Sequence, residues 1–193
     1  MAQTPRILAL AGSVRRDSFN RKLLPIVAQG ARMAGAEVTI LDLKDYPLPL
    51  FDQDLEAAQG LPDSAKKLKE LFKQHHGLIL ASPEYNSSIT PLMKNTIDWV
   101  SRPEPQEPSL AAYQGKIAAL VSASPGALGG LRGLQHLRSI LSNIGVLVLA
   151  DQWAIAKAHE AFNEAGGLKD AKMQSNLEQL GQRLATMLHK LNS

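Results

Sequence analysis

The sequence predicts an α/β domain built on a doubly wound parallel sheet. Three observations carry that prediction. Short apolar runs recur along the chain, stretches with apolar residues at helical spacing separate them, and the polar and glycine-bearing clusters fall just after the runs. In such sheets, ligands bind where loops leave the carboxyl ends of the strands.

Residues 6–11 (Arg-Ile-Leu-Ala-Leu-Ala) form a continuous apolar run, as expected of a strand buried on both faces. A polar loop over 12–20 follows, and then Leu23, Leu24, Val27, Ala28 and Ala31 recur at helical spacing. Gly35 ends that helix, and 38–43 reads as the second strand. Residues 46–61 carry Pro47, Pro49 and Gly60 with little periodicity and read as a long surface excursion. Asp63 is placed to cap the next helix, whose apolar face is Ala65, Leu68, Leu71 and Phe72. Gly77 stops it, with His75 and His76 at a solvated helix end. Residues 78–81 are a third strand and 82–89 a loop. Thr90 with Pro91 is a cap followed by proline at the first helical position, opening a helix that runs through Trp99 and Val100. The Pro- and Glu-rich stretch 102–108 is another loop. Residues 117–121 form the fourth strand, 122–130 a glycine-rich loop, 131–141 a helix and 145–149 the fifth strand. The tail, 168–191, is a helix with Leu177, Leu180, Leu184, Leu188 and Leu191 at apolar positions. No repeat or linker interrupts the pattern, so 1–193 reads as one domain.

Composition narrows the function. Hydrophobic residues make up 45% and charged residues 20%, which is ordinary for a globular core. The absence of cysteine excludes disulfides, thiolate zinc sites, iron–sulfur ligation and thiol nucleophiles, and it fits a reducing compartment, the cytoplasm. The 21 Lys and Arg against 18 Asp and Glu leave a net charge of +3 without a block of like charge. Lys66-Lys67-Leu68-Lys69-Glu70 reads as a solvated helix face, so nucleic acid is not an expected partner. The first apolar run is too short for a secretion signal and passes into Arg15, Arg16 and Asp17. No stretch approaches the about 20 apolar residues that cross a bilayer, so a membrane is not expected either.

The loop after the first strand, Gly12-Ser13-Val14-Arg15-Arg16-Asp17-Ser18-Phe19-Asn20, enters a helix N-terminus. Free N–H groups and the positive end of the helix dipole suit an anion there. Ser13 and Ser18 offer hydroxyls, Asn20 an amide, and Arg15 a guanidinium for charge-assisted bonds to a phosphate. A Ser/Asn-rich cap beside an exposed arginine is the other reading of the same residues. The glycines of a dinucleotide fingerprint are missing, so Asp42 is not expected to hold a ribose, and there is no Gly-Lys-Ser/Thr P-loop. The expected phosphate is therefore a monoester terminus. The second loop, Ser82-Pro83-Glu84-Tyr85-Asn86-Ser87-Ser88, is a rigid turn with exposed amides for the edge of a planar heterocycle and Tyr85 as stacking surface. The third loop runs Ser122-Ala123-Ser124-Pro125-Gly126-Ala127-Leu128-Gly129-Gly130 and is followed by Arg132.

Taken in order, Gly12-Ser13-x-Arg15-x-x-Ser18-x-Asn20, Pro83-Glu84-Tyr85-Asn86 and Leu92-x-Lys94-Asn95-x-Ile97-Asp98-Trp99 resemble the NADPH-dependent FMN reductase family, and within it the bacterial quinone and chromate reductases. The third loop resembles the family's pattern too, and the likeness spans nearly the whole chain. It implies a flavodoxin-like fold with strand order 2-1-3-4-5, non-covalent FMN, and a homodimer or homotetramer. It implies Ser13, Arg15, Ser18 and Asn20 at the phosphate with Phe19 among them, Pro83, Glu84, Tyr85 and Asn86 along the ribityl chain and ring, and Ser124 and Gly126 near the ring's other edge. Pro91 stands where a glycine is frequent in the family, and the 46–61 excursion matches only loosely. Because that excursion often shapes the substrate mouth, these departures bear on substrate choice.

The activity implied is hydride transfer from NADPH or NADH through FMN to a quinone or a similar small-molecule acceptor, with chromate and azo compounds as further oxidants. Neither a catalytic side chain nor a metal is called for. A hydrolase is not indicated, because Ser124 lacks a Gly-x-Ser-x-Gly elbow and the histidines show no triad or metal spacing. A non-enzymatic electron carrier would use the same fold and cofactor, although carriers of this type tend to be strongly acidic. Leu92, Met93, Ile97, Trp99 and Val100 make the helix over 92–100 apolar on more than one side, which suggests self-association.

Overall fold

The computed structural model describes residues 3–191, so residues 1–2 and 192–193 of the expected 1–193 domain lie outside the description. In chain order the elements are β1 (Arg6–Ala11), α1 (Phe19–Met33), β2 (Glu37–Leu41), a 3₁₀ turn at Leu43–Asp45, α2 (Gln53–Gln59), α3 (Asp63–Gln74), β3 (Gly77–Ala81), β4 (Glu84–Tyr85), β5 (Ser88–Ile89), α4 (Pro91–Val100), β6 (Ile117–Ala123), α5 (Leu131–Asn143), β7 (Leu147–Ile155), α6 (Ala158–Ala161) and α7 (Ala171–Leu191). The sheet runs β2-β1-β3-β6-β7, every pair parallel. With the small β4–β5 hairpin set aside, this is the order 2-1-3-4-5.

The apolar runs are continuous because the three central strands are covered on both faces. Along β1, Ile7, Ala9 and Ala11 enter a core shared with Leu23 and Val27 of α1 and Leu177, Leu180 and Leu184 of α7. Leu8 and Leu10 enter the opposite core, against Leu68 and Phe72 of α3, Met93 and Ile97 of α4, and Leu134 and Leu137 of α5. Each fully buried Leu or Ile contributes roughly 1.5–3 kcal/mol. On the first face, α1 and α7 cross with almost no space between them. A Cβ on Gly30 would stand 1.8 Å from the Glu178 carbonyl oxygen, and one on Gly181 would stand 2.0 Å from that of Val27. The absence of side chains at these two positions seats α1, the helix that follows the first polar loop.

Five details differ from the sequence expectation. Residues 46–61 are not without structure: they hold α2, capped by Asp52, whose side chain accepts from the Asp54 and Leu55 N–H groups. This excursion folds onto α4. Asn95 accepts from the Phe51 N–H (2.8 Å) and donates to Pro49 O (2.9 Å), while Trp99 Nε1 also donates to Pro49 O (2.8 Å). Phe51 meets Trp99 edge-on at 4.9 Å. Asp63 is not the cap of α3. Pro62 holds that place without a side-chain bond, and Asp63 is the first helical residue, where its charge suits the dipole. His75 is buried rather than solvated, its ring nitrogens bonded to Leu71 O (2.6 Å) and Thr39 Oγ1 (3.1 Å).

The fifth strand is longer than expected, continuing to Ile155 past a bulge. The register steps from Ala118↔Val148 to Leu120↔Gln152, and Arg138 of α5 satisfies the irregular stretch by donating to Leu149 O (2.7 Å) and Gln152 Oε1 (3.0 Å). The bulge carries the strand's end up to the third loop, where Ser124 N–H donates to Ile155 O. The apolar residues of α4 face inward. Met93, Ile97, Trp99 and Val100 are 0–4% exposed within the chain, so this helix supplies little surface for self-association. Among the described residues, no helix is long and apolar enough to cross a membrane.

Candidate active site

The loops after β1, β3 and β6 converge at the carboxyl end of the sheet, beside the point where strand order reverses. Between them lies a narrow cleft of about 90 Å³, lined by Ser13, Arg15, Ser18, Phe19 and Asn20 from the first loop, Pro83, Glu84 and Tyr85 from the second, and Ala123, Ser124 and Pro125 from the third. Larger hollows exist, one of about 420 Å³ beside Ile155 and Met173, but it contains none of the residues singled out above. We place the site by converging polar groups rather than by volume.

In the first loop the polar groups are oriented for an acceptor-rich ligand. Ser18 is the N-cap of α1, its Oγ accepting from Arg21 N–H, and Ser13 Oγ accepts from Arg15 N–H (3.4 Å). Each hydroxyl therefore keeps its proton to donate. The N–H groups of Phe19 and Asn20 open the helix and have no intrahelical acceptor. Among the described residues, Arg15 forms no ion pair, and its side chain is exposed at the rim. Phe19 stacks on Phe162 (6.0 Å, 7°), with the Lys22 ammonium 5.8 and 5.6 Å from the two rings.

Asn20 occupies a different place from the other first-loop residues. Its side chain is buried, donating from Nδ2 to Ala123 O (2.8 Å) and accepting at Oδ1 from Ala123 N–H (3.0 Å). It thus pairs with the end of β6 as a further strand residue would, tying the first loop to the third. Two other side chains complete the set. Thr90 caps α4, accepting from Met93 N–H (3.2 Å), and donates its own proton to Gly12 O (2.8 Å), joining the second loop to the first. Glu84 accepts from Gly133 N–H (2.9 Å) at the start of α5, joining the second loop to the third. The three loops are therefore linked pairwise by side-chain-to-backbone bonds.

Asn86 and Gly126 do not line the cleft. Asn86 (φ 50°) and Ser87 (φ 66°) are the left-handed central residues of the β4–β5 hairpin turn, a geometry that asparagine tolerates. Gly126 donates its N–H to Ser124 Oγ (3.2 Å), which shapes the third loop. Sequence reasoning did not single out Ala123 and Pro125 as lining residues, nor Thr90, Asn95, Trp99 and Gly133 as supports. Their signals are caps, packing residues and backbone groups, which look the same in any helix or strand. No group of three or more His, Cys, Asp or Glu that could hold a metal occurs among the described residues.

The sheet order and a polar cleft at the switch point define a flavodoxin-like α/β protein. Within that class, residues 5–160 match the NADPH-dependent FMN reductase family, and the chain belongs to it. It is 33% identical over 192 residues to an NAD(P)H-dependent FMN reductase of Pseudomonas aeruginosa, with 99% of each chain covered. It is also 34% identical over 152 residues to a quinone reductase of Escherichia coli, covering 77% of this chain and 76% of the relative. A solved structure of the flavoenzyme NAD(P)H:(acceptor) oxidoreductase from Paracoccus denitrificans superposes with a TM-score of 0.81 at 28% identity, covering 97% of this chain and 98% of that one. The protein is an oxidoreductase that works with FMN and takes its electrons from NAD(P)H.

Proposed function

We propose that the chain passes hydride equivalents from NAD(P)H, through FMN held in the three-loop cleft, to a quinone or a similar small oxidant. The observation that carries the reading is the convergence of two proton-donating hydroxyls, two free helix N–H groups and an arginine with no ion pair among the described residues on one end of the three-loop cleft. Ser13, Arg15, Ser18 and the N–H groups of Phe19 and Asn20 hold the phosphate, and Arg15 adds the one full positive charge. Bound FMN supplies the hydride chemistry. Backbone N–H groups of 84–86 orient the ring and stabilise negative charge on it, while Tyr85, 52% exposed, forms one wall of an open mouth. No acid, base or nucleophile from the chain is required.

The likeness to quinone reductases supports a quinone acceptor, and chromate fits an open site of this kind as a secondary oxidant. Steady-state oxidation of NADPH and NADH with a soluble benzoquinone tests the acceptor. Parallel lines in double-reciprocal plots are expected, since both substrates use one ring face. Failure of any quinone to stimulate turnover above the oxygen background contradicts it. We further read the chain as a cytoplasmic homodimer or homotetramer. Support comes from the exposed apolar side chains around the mouth, Val14, Tyr85, Leu128 and Leu131, rather than from α4. A monomeric mass by light scattering at micromolar concentration removes the oligomer, and fractionation of the source cells checks the compartment.

A further inference from the structure

Helix α5 begins without a cap of its own. Its N-cap is Gly130, in a left-handed conformation (φ 96°) and lacking a side chain; Leu131 N–H turns back to Leu128 O (3.0 Å), but the Arg132 and Gly133 amides find no side-chain cap at the helix's own N-terminus. Glu84, 49 residues earlier in the chain, fills that role: its Oε2 accepts from Gly133 N–H at 2.9 Å. The other oxygen, Oε1, takes Arg132 Nε at 3.1 Å and Nη2 at 3.0 Å. The carboxylate is only 10% exposed, and its charge meets both a guanidinium and the positive end of a helix.

The backbone confirms how closely the hairpin is seated. A Cβ on Gly133 would lie 3.2 Å from Ser88 O and 3.4 Å from Glu84 Cβ, so only glycine lets the hairpin and helix approach this far without adjustment. A second tie, His136 Nδ1 to Ser88 Oγ (2.9 Å), holds the far strand of the hairpin to the next turn of the same helix. One side of the cleft is built on this hairpin, and the other is the loop that ends in α5.

We propose that Glu84 is a positioning residue: as the N-cap of α5 supplied from β4, its carboxylate fixes the second loop against the third and makes no bond of its own to the flavin. This rests on the cleft being the FMN site. With both oxygens occupied by Arg132 and Gly133, the carboxylate has a structural partner on each side and no call on a ligand. Its charge, neutralised in place, leaves the electronics of the ring alone. Glu84 therefore acts on affinity through the spacing of the two loops.

Three variants test this: Glu84→Gln, Glu84→Ala and Arg132→Ala. The readouts are backbone amide exchange at residues 131–133 in flavin-free protein, FMN affinity by fluorescence titration, and the midpoint potential of the loaded protein. Glu84→Ala removes the cap, so exchange at 133 accelerates about tenfold or more without any flavin present, and FMN affinity falls by about ten- to a hundred-fold. Glu84→Gln keeps an acceptor for the Gly133 N–H, retains affinity within about threefold of the parent, and leaves the potential unchanged. Arg132→Ala, which spares the cap, weakens affinity less than Glu84→Ala does. If Glu84→Gln shifts the potential, or loses as much affinity as alanine while exchange in the flavin-free protein stays at the parent rate, Glu84 is a flavin ligand and the proposal is wrong. Should Glu84→Ala fail to fold, the glutamine and Arg132 variants still decide the matter. A parent protein that binds no FMN defeats the site assignment alone, since the exchange measurement tests the cap without flavin.

Discussion

Replacing Asn20 with alanine separates a structural strap from a phosphate ligand. In the structure, the Asn20 amide makes two bonds to Ala123, at 2.8 and 3.0 Å, and both residues are buried (3% and 4% exposed). Alanine leaves the Ala123 N–H and C=O unpaired where water has little access. Each orphaned buried group costs about 1–3 kcal/mol, so Asn20→Ala should destabilise the flavin-free protein by about 2–6 kcal/mol. Asn20→Asp is expected to be nearly as damaging. It still accepts from the Ala123 N–H, but it turns a carboxylate oxygen towards the Ala123 carbonyl in place of a donor. The assay is urea unfolding of apoprotein, comparing midpoints at constant slope. If apoprotein stability stays within about 0.5 kcal/mol of the parent while FMN affinity drops, Asn20 binds the phosphate directly and the strap reading is refuted.

Arg15→Ala should leave apoprotein stability unchanged and weaken FMN binding by roughly ten- to a hundred-fold, the value of a hydrogen bond to a charged group, as read by calorimetric titration. Gly30→Ala, which forces a methyl group against the Glu178 carbonyl, should cost about 2–3 kcal/mol and lower Tm, and a neutral result would mean that α1 and α7 are not in the close contact described. Burial lowers the Lys116 pKa to about 8 from 10.5, so between these values the unfolded chain holds more protons and stability should rise with pH. Below pH 8 the penalty of keeping this ammonium buried is fully present, on the order of 2–3 kcal/mol. Lys116→Met should flatten the rise between pH 8 and 10.5, and an unaltered profile from denaturant melts in that range would count against the burial of the amine.

Much of the architecture was legible because central parallel strands, covered on both faces, give unbroken apolar runs such as Ile7–Ala11 and Leu78–Ala81. The edge strand β7 was cut short in the sequence reading because Asp151 and Gln152 interrupt its pattern, as they can on a half-exposed strand with a bulge. The excursion over 46–61 read only as a surface excursion, without its helix, because its order comes from distant partners, Asn95 and Trp99, and not from a local period. Site loops were visible through their polar residues and the family pattern. What those residues do was less visible: Asn20 and Glu84 carry the chemistry of ligands yet are occupied by Ala123, Gly133 and Arg132, contacts that span 48 to 103 residues of chain. Spacing along a sequence does not encode such pairings.

The central claim is that the cleft holds FMN and that NAD(P)H reduces it there, and anaerobic stopped-flow absorbance of the purified protein tests this most directly. The protein should be yellow or take up one FMN per chain, release FMN and not FAD on denaturation, and bleach rapidly on mixing with NADPH or NADH, with colour returning when a quinone is added. Protein that binds FMN but is bleached by neither nucleotide, only by dithionite, would contradict the reductase account and point to an electron carrier on the same fold.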